Sequence, residues 1–201
     1  MALSSERKQQ NNTVISVFVL VLVTVLIIAL LVLTNYFFGP KIVDLNMDKI
    51  KNSMVSVMPE GTSFEDITTS VTDVWTEEVP ILNVSAVKDK KANLIGYCFE
   101  IAPQGYSGKI EMMVGINLDG EIAGIDIISS ADTFGLGSKI EENAFKKQFV
   151  GKSKGFTLTK GTTVSRDEVL IISGATYSTK GFYDGAQAAL TAYKLITEEA
   201  V

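Results

Sequence analysis

Residues Val14 to Leu33, VISVFVLVLVTVLIIALLVL, are twenty in a row with only Ser16 and Thr24 as polar interruptions. An α-helix rises about 1.5 Å per residue, so a run of this length crosses the roughly 30 Å hydrocarbon core of a bilayer. A helix that is apolar all round has no wet face to offer a small globular fold. A cleaved signal peptide would carry a shorter apolar core followed by a small-x-small site. Here TNYFFGPKI follows instead, and Tyr36, Phe37 and Phe38 read as anchors at the membrane interface. The pattern predicts one uncleaved transmembrane helix over residues 13–38, preceded by a short N-terminus, residues 1–12. Arg7 and Lys8 on one side face Lys41, Lys49 and Lys51 on the other, so basic charge does not orient the span.

The 201-residue chain has 23 acidic and 18 basic residues, and all but Glu6, Arg7 and Lys8 follow the apolar run. No basic stripe interleaved with aromatics appears, which excludes a nucleic-acid partner. The clusters Lys88-Lys90-Lys91 and Lys146-Lys147-Lys152-Lys154 read as solvated faces. There is no histidine and one cysteine, so histidine-ligated metal, histidine acid–base catalysis and intrachain disulfides are excluded. Cys98 lies in the strand-like LIGYCFEI, where a buried, inert thiol is expected. Neither a catalytic residue nor a metal site is expected.

Residues 39–80 read as a juxtamembrane helix and a connecting segment. Leu45, Ile50, Met54, Val57 and Met58 recur at helical spacing, and Pro59-Glu60-Gly61 ends the helix. Thr62 to Val79 reads as irregular, or as a short helix around Trp75. From residue 81 the period changes to two. Ile81–Val87 and Leu94–Ile101 are expected strands joined by KDKKAN. Ile110, Met112, Val114 and Ile116 alternate with polar or small neighbours, and Asp119-Gly120 turns the chain into a strand over Glu121–Ile128. An Asp-Gly pair between alternating runs signals a hairpin. Ser138 and Glu141 have capping-box spacing, predicting a helix through Phe149 with Ile140, Ala144, Phe145 and Phe149 inward. Phe156–Thr159 and Val169–Ile172 are expected short strands, and a last helix is expected over Ser178–Thr197. Its stripe is Phe182, Ala186, Ala189, Leu190, Tyr193 and Ile196. The expected fold is α+β: one transmembrane helix, then a small antiparallel-sheet domain over 81–201 with helices packed on it.

Two glycine-containing loops each run into a helix start. The first, TFGLGSK, holds Thr133, Gly135, Leu136, Gly137 and Lys139. The second, SGATYST, holds Ser173, Gly174, Ala175, Thr176, Ser178 and Thr179. Backbone N–H groups and the dipole at a helix start favour an anion. Neither loop has the spacing of a nucleotide-cradling P-loop or a dinucleotide fingerprint. Taken separately, each loop is better explained as plain turn chemistry, the second with Ser178 or Thr179 as helix cap.

The order of features carries a resemblance: one N-terminal anchor, a G-x-x-G hairpin continuing into GINLDGEIAGIDI, the TFGLG loop, a helix, and SGAT before a C-terminal helix. The chain resembles the flavin-binding subunits of ion-pumping membrane redox complexes. These are the G subunit of the Rnf complex and the C subunit of the sodium-translocating NADH:quinone reductase. The resemblance is most specific over Gly105 to Ala189, and the short chain is closer to the Rnf protein. It implies that Thr176, the last residue of SGAT, is joined to the phosphate of FMN by a phosphoester bond, made by a flavin transferase outside the membrane. It implies an electron carrier between ferredoxin and NAD, coupled to Na⁺ or H⁺ movement. The implied partners are the complex's other membrane and redox subunits, the transferase and membrane lipid. The implied location is a bacterial or archaeal cell membrane, with a cytoplasmic N-terminus and the domain outside. The other SGATYST residues named above, and Thr133, Gly135, Leu136, Gly137 and Lys139, are the expected cofactor contacts. Leu170 stands where that family usually has an aspartate. A quinone-reductase subunit or a stand-alone extracytoplasmic flavoprotein are alternatives. A tethered binding domain without cofactor, in which SGAT is only a turn, is another.

Overall fold

The computed structural model of the chain describes residues 2–70, 79–132, 137–153, 155–161, 165 and 167–199. It divides into two compact units, Met1–Asp48 and Lys49–Val201. The first unit is helical, formed by the greater part of α1, Ala2–Val57. Its stretch Ile15–Phe37 is 23 residues long with a mean hydropathy of 3.4, and every side chain along it is exposed. The hydroxyl of Thr24 donates to the Leu20 carbonyl at 2.9 Å, and that of Thr34 donates to the Leu30 carbonyl. Bonding back one turn satisfies a hydroxyl inside the helix, as a side chain in hydrocarbon requires. The rings of Tyr36 and Phe37 meet edge to face at 5.7 Å; the Phe38 side chain lies outside the described residues. The anchor and the juxtamembrane segment, expected as two helices, are one. Proline within a helix removes a single backbone donor, and helical periodicity continues beyond Pro40.

The second unit is built on a five-stranded antiparallel meander, each strand paired with its neighbours in sequence. The strands are β1 (Ser63–Asp66), β2 (Ile81–Lys88), β3 (Leu94–Ile101), β4 (Ile110–Asn117) and β5 (Ile122–Ser130). β1 corrects the reading of its segment as irregular: SFED has no apolar alternation, and its pairing with β2, Phe64 opposite Val87, defines it. Trp75 lies outside the described residues. The β4–β5 hairpin forms where Asp119-Gly120 predicts it. The Asn117 side-chain oxygen accepts the N–H groups of Asp119 (3.1 Å) and Glu121 (2.9 Å), and the Tyr193 hydroxyl donates to the Leu118 carbonyl at 2.8 Å.

One face of the sheet presents Phe99, Ile101, Ile110, Met112, Val114, Ile116 and Ile122 to the C-terminal helix, whose Phe182, Ala186, Ala189 and Leu190 are buried against them. Phe182 lies 5.2 Å from Phe145 and 4.9 Å from Phe149, ring centre to ring centre, closing that core with aromatic packing. On a second core, Val57 and Met58 at the end of α1 pack with Val87, Cys98 and Met113. The sheet is therefore covered on both faces. Met113 breaks the alternation of β4 because its side also needs an apolar residue.

After β5 comes a 3-10 turn, Gly137–Glu141, and then the short α2, Asn143–Lys146. Among the described residues no capping box opens the helix: Ser138 sits inside the 3-10 turn, and α2 is entered through Glu142 without a side-chain cap bond. Ile140, Phe145 and Phe149 are buried as expected, but Ala144 is exposed because the tighter 3-10 winding shifts the phase of the stripe. Two short strands, β6 (Thr157–Thr159) and β7 (Glu168–Leu170), pair in parallel and lead into α3, Thr176–Glu199.

Candidate functional site

The turn after β7 is tight. The Ala175 N–H donates to the Ile172 carbonyl at 3.0 Å, and Gly174 between them has φ +83°, a conformation that costs other residues about 1–2 kcal/mol. α3 begins at Thr176, two residues earlier than sequence periodicity suggests. Its first helical bond runs from the Thr179 N–H to the Ala175 carbonyl, 2.9 Å. The N–H groups of Thr176, Tyr177 and Ser178 therefore have no carbonyl one turn earlier in the helix to accept them.

This start corrects the assignment of Ser178 or Thr179 as cap. Both lie inside the first turn and are buried, at 1% and 0% exposure. The Thr179 hydroxyl donates to the Ala175 carbonyl at 2.8 Å and accepts the Ile172 N–H at 3.3 Å, fastening the helix start to the turn that follows β7. Ser173, Thr176 and Tyr177 are exposed.

A cleft of about 350 Å³ opens here, lined by Tyr106, Gly137, Gly174, Ala175, Thr176, Tyr177 and Ser178. It joins the second glycine loop to the first, since Gly137 forms part of its wall. Ser173 and Thr179 do not line it, and Lys139 is exposed outside it. Thr133, Gly135 and Leu136 lie outside the described residues. Leu170, in the position of the expected aspartate, donates its N–H to the Gln148 side-chain oxygen at 2.8 Å.

Two lining residues escape a reading by motif. Tyr106 and Tyr177 bring their rings to 6.0 Å with planes 47° apart. The available signal was the aromatic enclosed by Gly105 and Gly108 in GYSG. Its loop is closed by the Gly105 N–H donating to the Gly108 carbonyl at 2.8 Å. It is also tied down by the Ser107 N–H donating to one Asp132 carboxylate oxygen at 2.8 Å. The other Asp132 oxygen is buried and meets no donor among the described residues. Asp132 also packs behind Gly137, where an added Cβ would stand 2.5 Å from the Asp132 Cβ. One side chain therefore touches two walls of the cleft, its carboxylate bonding the Tyr106 loop and its Cβ packing behind Gly137.

Chemically the cleft is lined by an exposed threonine hydroxyl, helix-start N–H groups and two aromatic rings, with no charged side chain among the described residues. These residues fit a phosphate ester on Thr176: the hydroxyl is accessible, and helix-start N–H groups offset residual negative charge. Cys98 has no part in it. It is 1% exposed, and burial pushes its thiol up to about 12.

Residues 105–191 match the family model described as FMN-binding domain. The G subunit of the Na(+)-translocating ferredoxin:NAD(+) oxidoreductase complex of Acetobacterium woodii is 29% identical, over 84% of this chain and 85% of that one. The G subunit of the ion-translocating oxidoreductase complex of Methanosarcina acetivorans is 27% identical, over 92% of this chain and 95% of that one. Among solved structures, the crystal structure of Shewanella oneidensis NqrC aligns with 58% of this chain and 61% of that one, at 17% identity and a TM-score of 0.49. Residues 105–191 are thus similar to the FMN-binding domain, and the chain over most of its length is similar to G subunits of ion-translocating oxidoreductase complexes.

Proposed function

We propose that this chain is an electron-transfer subunit of a membrane-bound ion-translocating oxidoreductase working between ferredoxin and NAD, and that it holds FMN through a phosphoester on Thr176. The observation that carries the attachment is the exposed Thr176 hydroxyl at the head of a 24-residue helix, inside the cleft where both glycine loops meet. The flavin supplies one- and two-electron redox chemistry, and the protein's work is to hold and orient it. Gly174 sets the turn that presents Thr176, Ser178 lines the cleft beside it, and Thr179 braces the turn from behind. The attachment needs a flavin transferase. The α1 span seats the protein in lipid beside the complex's other membrane and redox subunits, in a bacterial or archaeal cell membrane.

Peptide mass spectrometry of the chain made together with a flavin transferase tests the attachment. An FMN-sized addition is expected on the peptide bearing Thr176. It should be lost in Thr176→Ala and Thr176→Val and kept in Thr176→Ser, which retains the hydroxyl. An addition on another residue, or none, overturns the reading and leaves a membrane-tethered domain in which SGAT is a turn.

The reading also places the N-terminus in the cytoplasm and the domain outside. Lys90, exposed in the β2–β3 turn, is the position to label as an introduced cysteine. The native Cys98 gives little background because its buried thiol stays protonated. A membrane-impermeant reagent should label Lys90→Cys in intact cells; labelling only after cell breakage would reverse the topology.

A further inference from the structure

Tyr106 and Tyr177 remain 71% and 69% exposed although both line the cleft. Large aromatic surface left open beside a cleft is available to a ligand. The loop carrying Tyr106 is also held firmly. Its ends are joined by the Gly105–Gly108 hydrogen bond, and its Ser107 amide is bound by Asp132. Its Gln104 backbone lies so close to α3 that a Cβ on Gly181 would stand 2.3 Å from the Gln104 carbonyl oxygen. Two distant parts of the chain are thus clamped together with a tyrosine from each at one opening. The cleft lining combines the Thr176 hydroxyl and helix-start N–H groups with two aromatic rings. A ligand with an anionic group at one end and a planar ring at the other matches that pairing.

We infer that Tyr106 and Tyr177 are the seat of the flavin ring. The inference rests on the proposed attachment of FMN at Thr176: the helix start holds the phosphate end and the tyrosine pair holds the ring. Tyr106 and Tyr177 are then positioning residues that limit the ring's motion relative to the domain. Neither needs its hydroxyl to do so, because the contact is made by the ring face.

The test uses the full chain flavinylated by its transferase, with occupancy on Thr176 read first by mass. A tyrosine touching an excited flavin passes it one electron and takes it back, quenching emission with no net oxidation. Phenylalanine offers the same ring without that quenching. Flavin emission from the wild type is expected several-fold below that of the flavinyl peptide released by protease. The double variant Tyr106→Phe/Tyr177→Phe should regain emission while keeping the visible circular dichroism of a held ring. Tyr106→Ala/Tyr177→Ala should regain emission and lose that dichroism. Both tyrosines are exposed, so folding should survive, as far-ultraviolet dichroism will report. Wild-type emission equal to that of the peptide overturns the seat. So does a double phenylalanine variant as quenched as the wild type at full occupancy. Absence of flavin from Thr176 overturns the attachment and the seat together, and the mass measurement separates that failure from an optical one.

Discussion

The Thr179 hydroxyl accepts the Ile172 N–H at 3.3 Å while donating to the Ala175 carbonyl at 2.8 Å, so one side chain spans the whole turn that presents Thr176. Thr179→Val keeps the shape and removes both bonds, leaving the part-buried Ile172 N–H without this acceptor while the Ala175 carbonyl keeps the Thr179 N–H. The expected loss is about 1–3 kcal/mol, read as a lower urea midpoint. Thr179→Ser should retain most of the stability. Flavin should remain on Thr176 in both, because Thr179 does not line the cleft; an addition that moves or disappears in Thr179→Val would show that the brace also governs attachment.

Gly181 sets helix propensity against packing. Glycine inside a helix costs about 1 kcal/mol relative to alanine, so propensity alone makes Gly181→Ala stabilising. The added Cβ would stand 2.3 Å from the Gln104 carbonyl oxygen and 3.0 Å from its carbon, both backbone atoms. Overpacking of this kind costs typically about 1–3 kcal/mol, so the net effect should be destabilising. Denaturation midpoints decide the sign, and a rise would mean that the Tyr106 loop yields easily.

Gly174 has φ +83°, so Gly174→Ala should lose about 1–2 kcal/mol from backbone strain. Gly174→Asn should lose less, since asparagine visits that region more readily. Because Gly174 also lines the cleft, flavin occupancy should fall further for alanine than the stability loss alone accounts for. Equal occupancy in both variants and the wild type would remove Gly174 from any part in presenting Thr176.

Glu100 on β3 has a carboxyl held above its usual value of 4.5, first by burial and then by the negative charge of Glu111. An acid raised in the folded state binds its proton more tightly there than in the unfolded chain. Its contribution is thus neutral below the unfolded value, and stability falls as pH rises from about 4.5 through the folded value. Glu100→Gln cannot ionise and should flatten that decline, leaving the variant more stable than the wild type at neutral pH. Thermal midpoints taken across this range test it; parallel pH profiles would refute the assignment to Glu100.

The apolar run before Phe38 and the alternation of Ile110, Met112, Val114 and Ile116 were legible because each is a local pattern whose period names its element. The Asp119-Gly120 turn and the SGAT turn were legible for the same reason, since a few residues determine their backbone. Composition alone excluded histidine chemistry and disulfides. Other features depended on partners distant in the chain. β1 is a strand because β2 lies beside it, and Met113 is buried because Val57 and Met58 cover the far face of the sheet. Tyr106 meets Tyr177 because Gly181 lets the Gln104 backbone approach α3. Thr179 serves as a brace because Ile172 folds back over the helix start. Sequence periodicity reports which side of an element is apolar; which distant atoms come to cover that side is a packing outcome, and only the tertiary structure decides it.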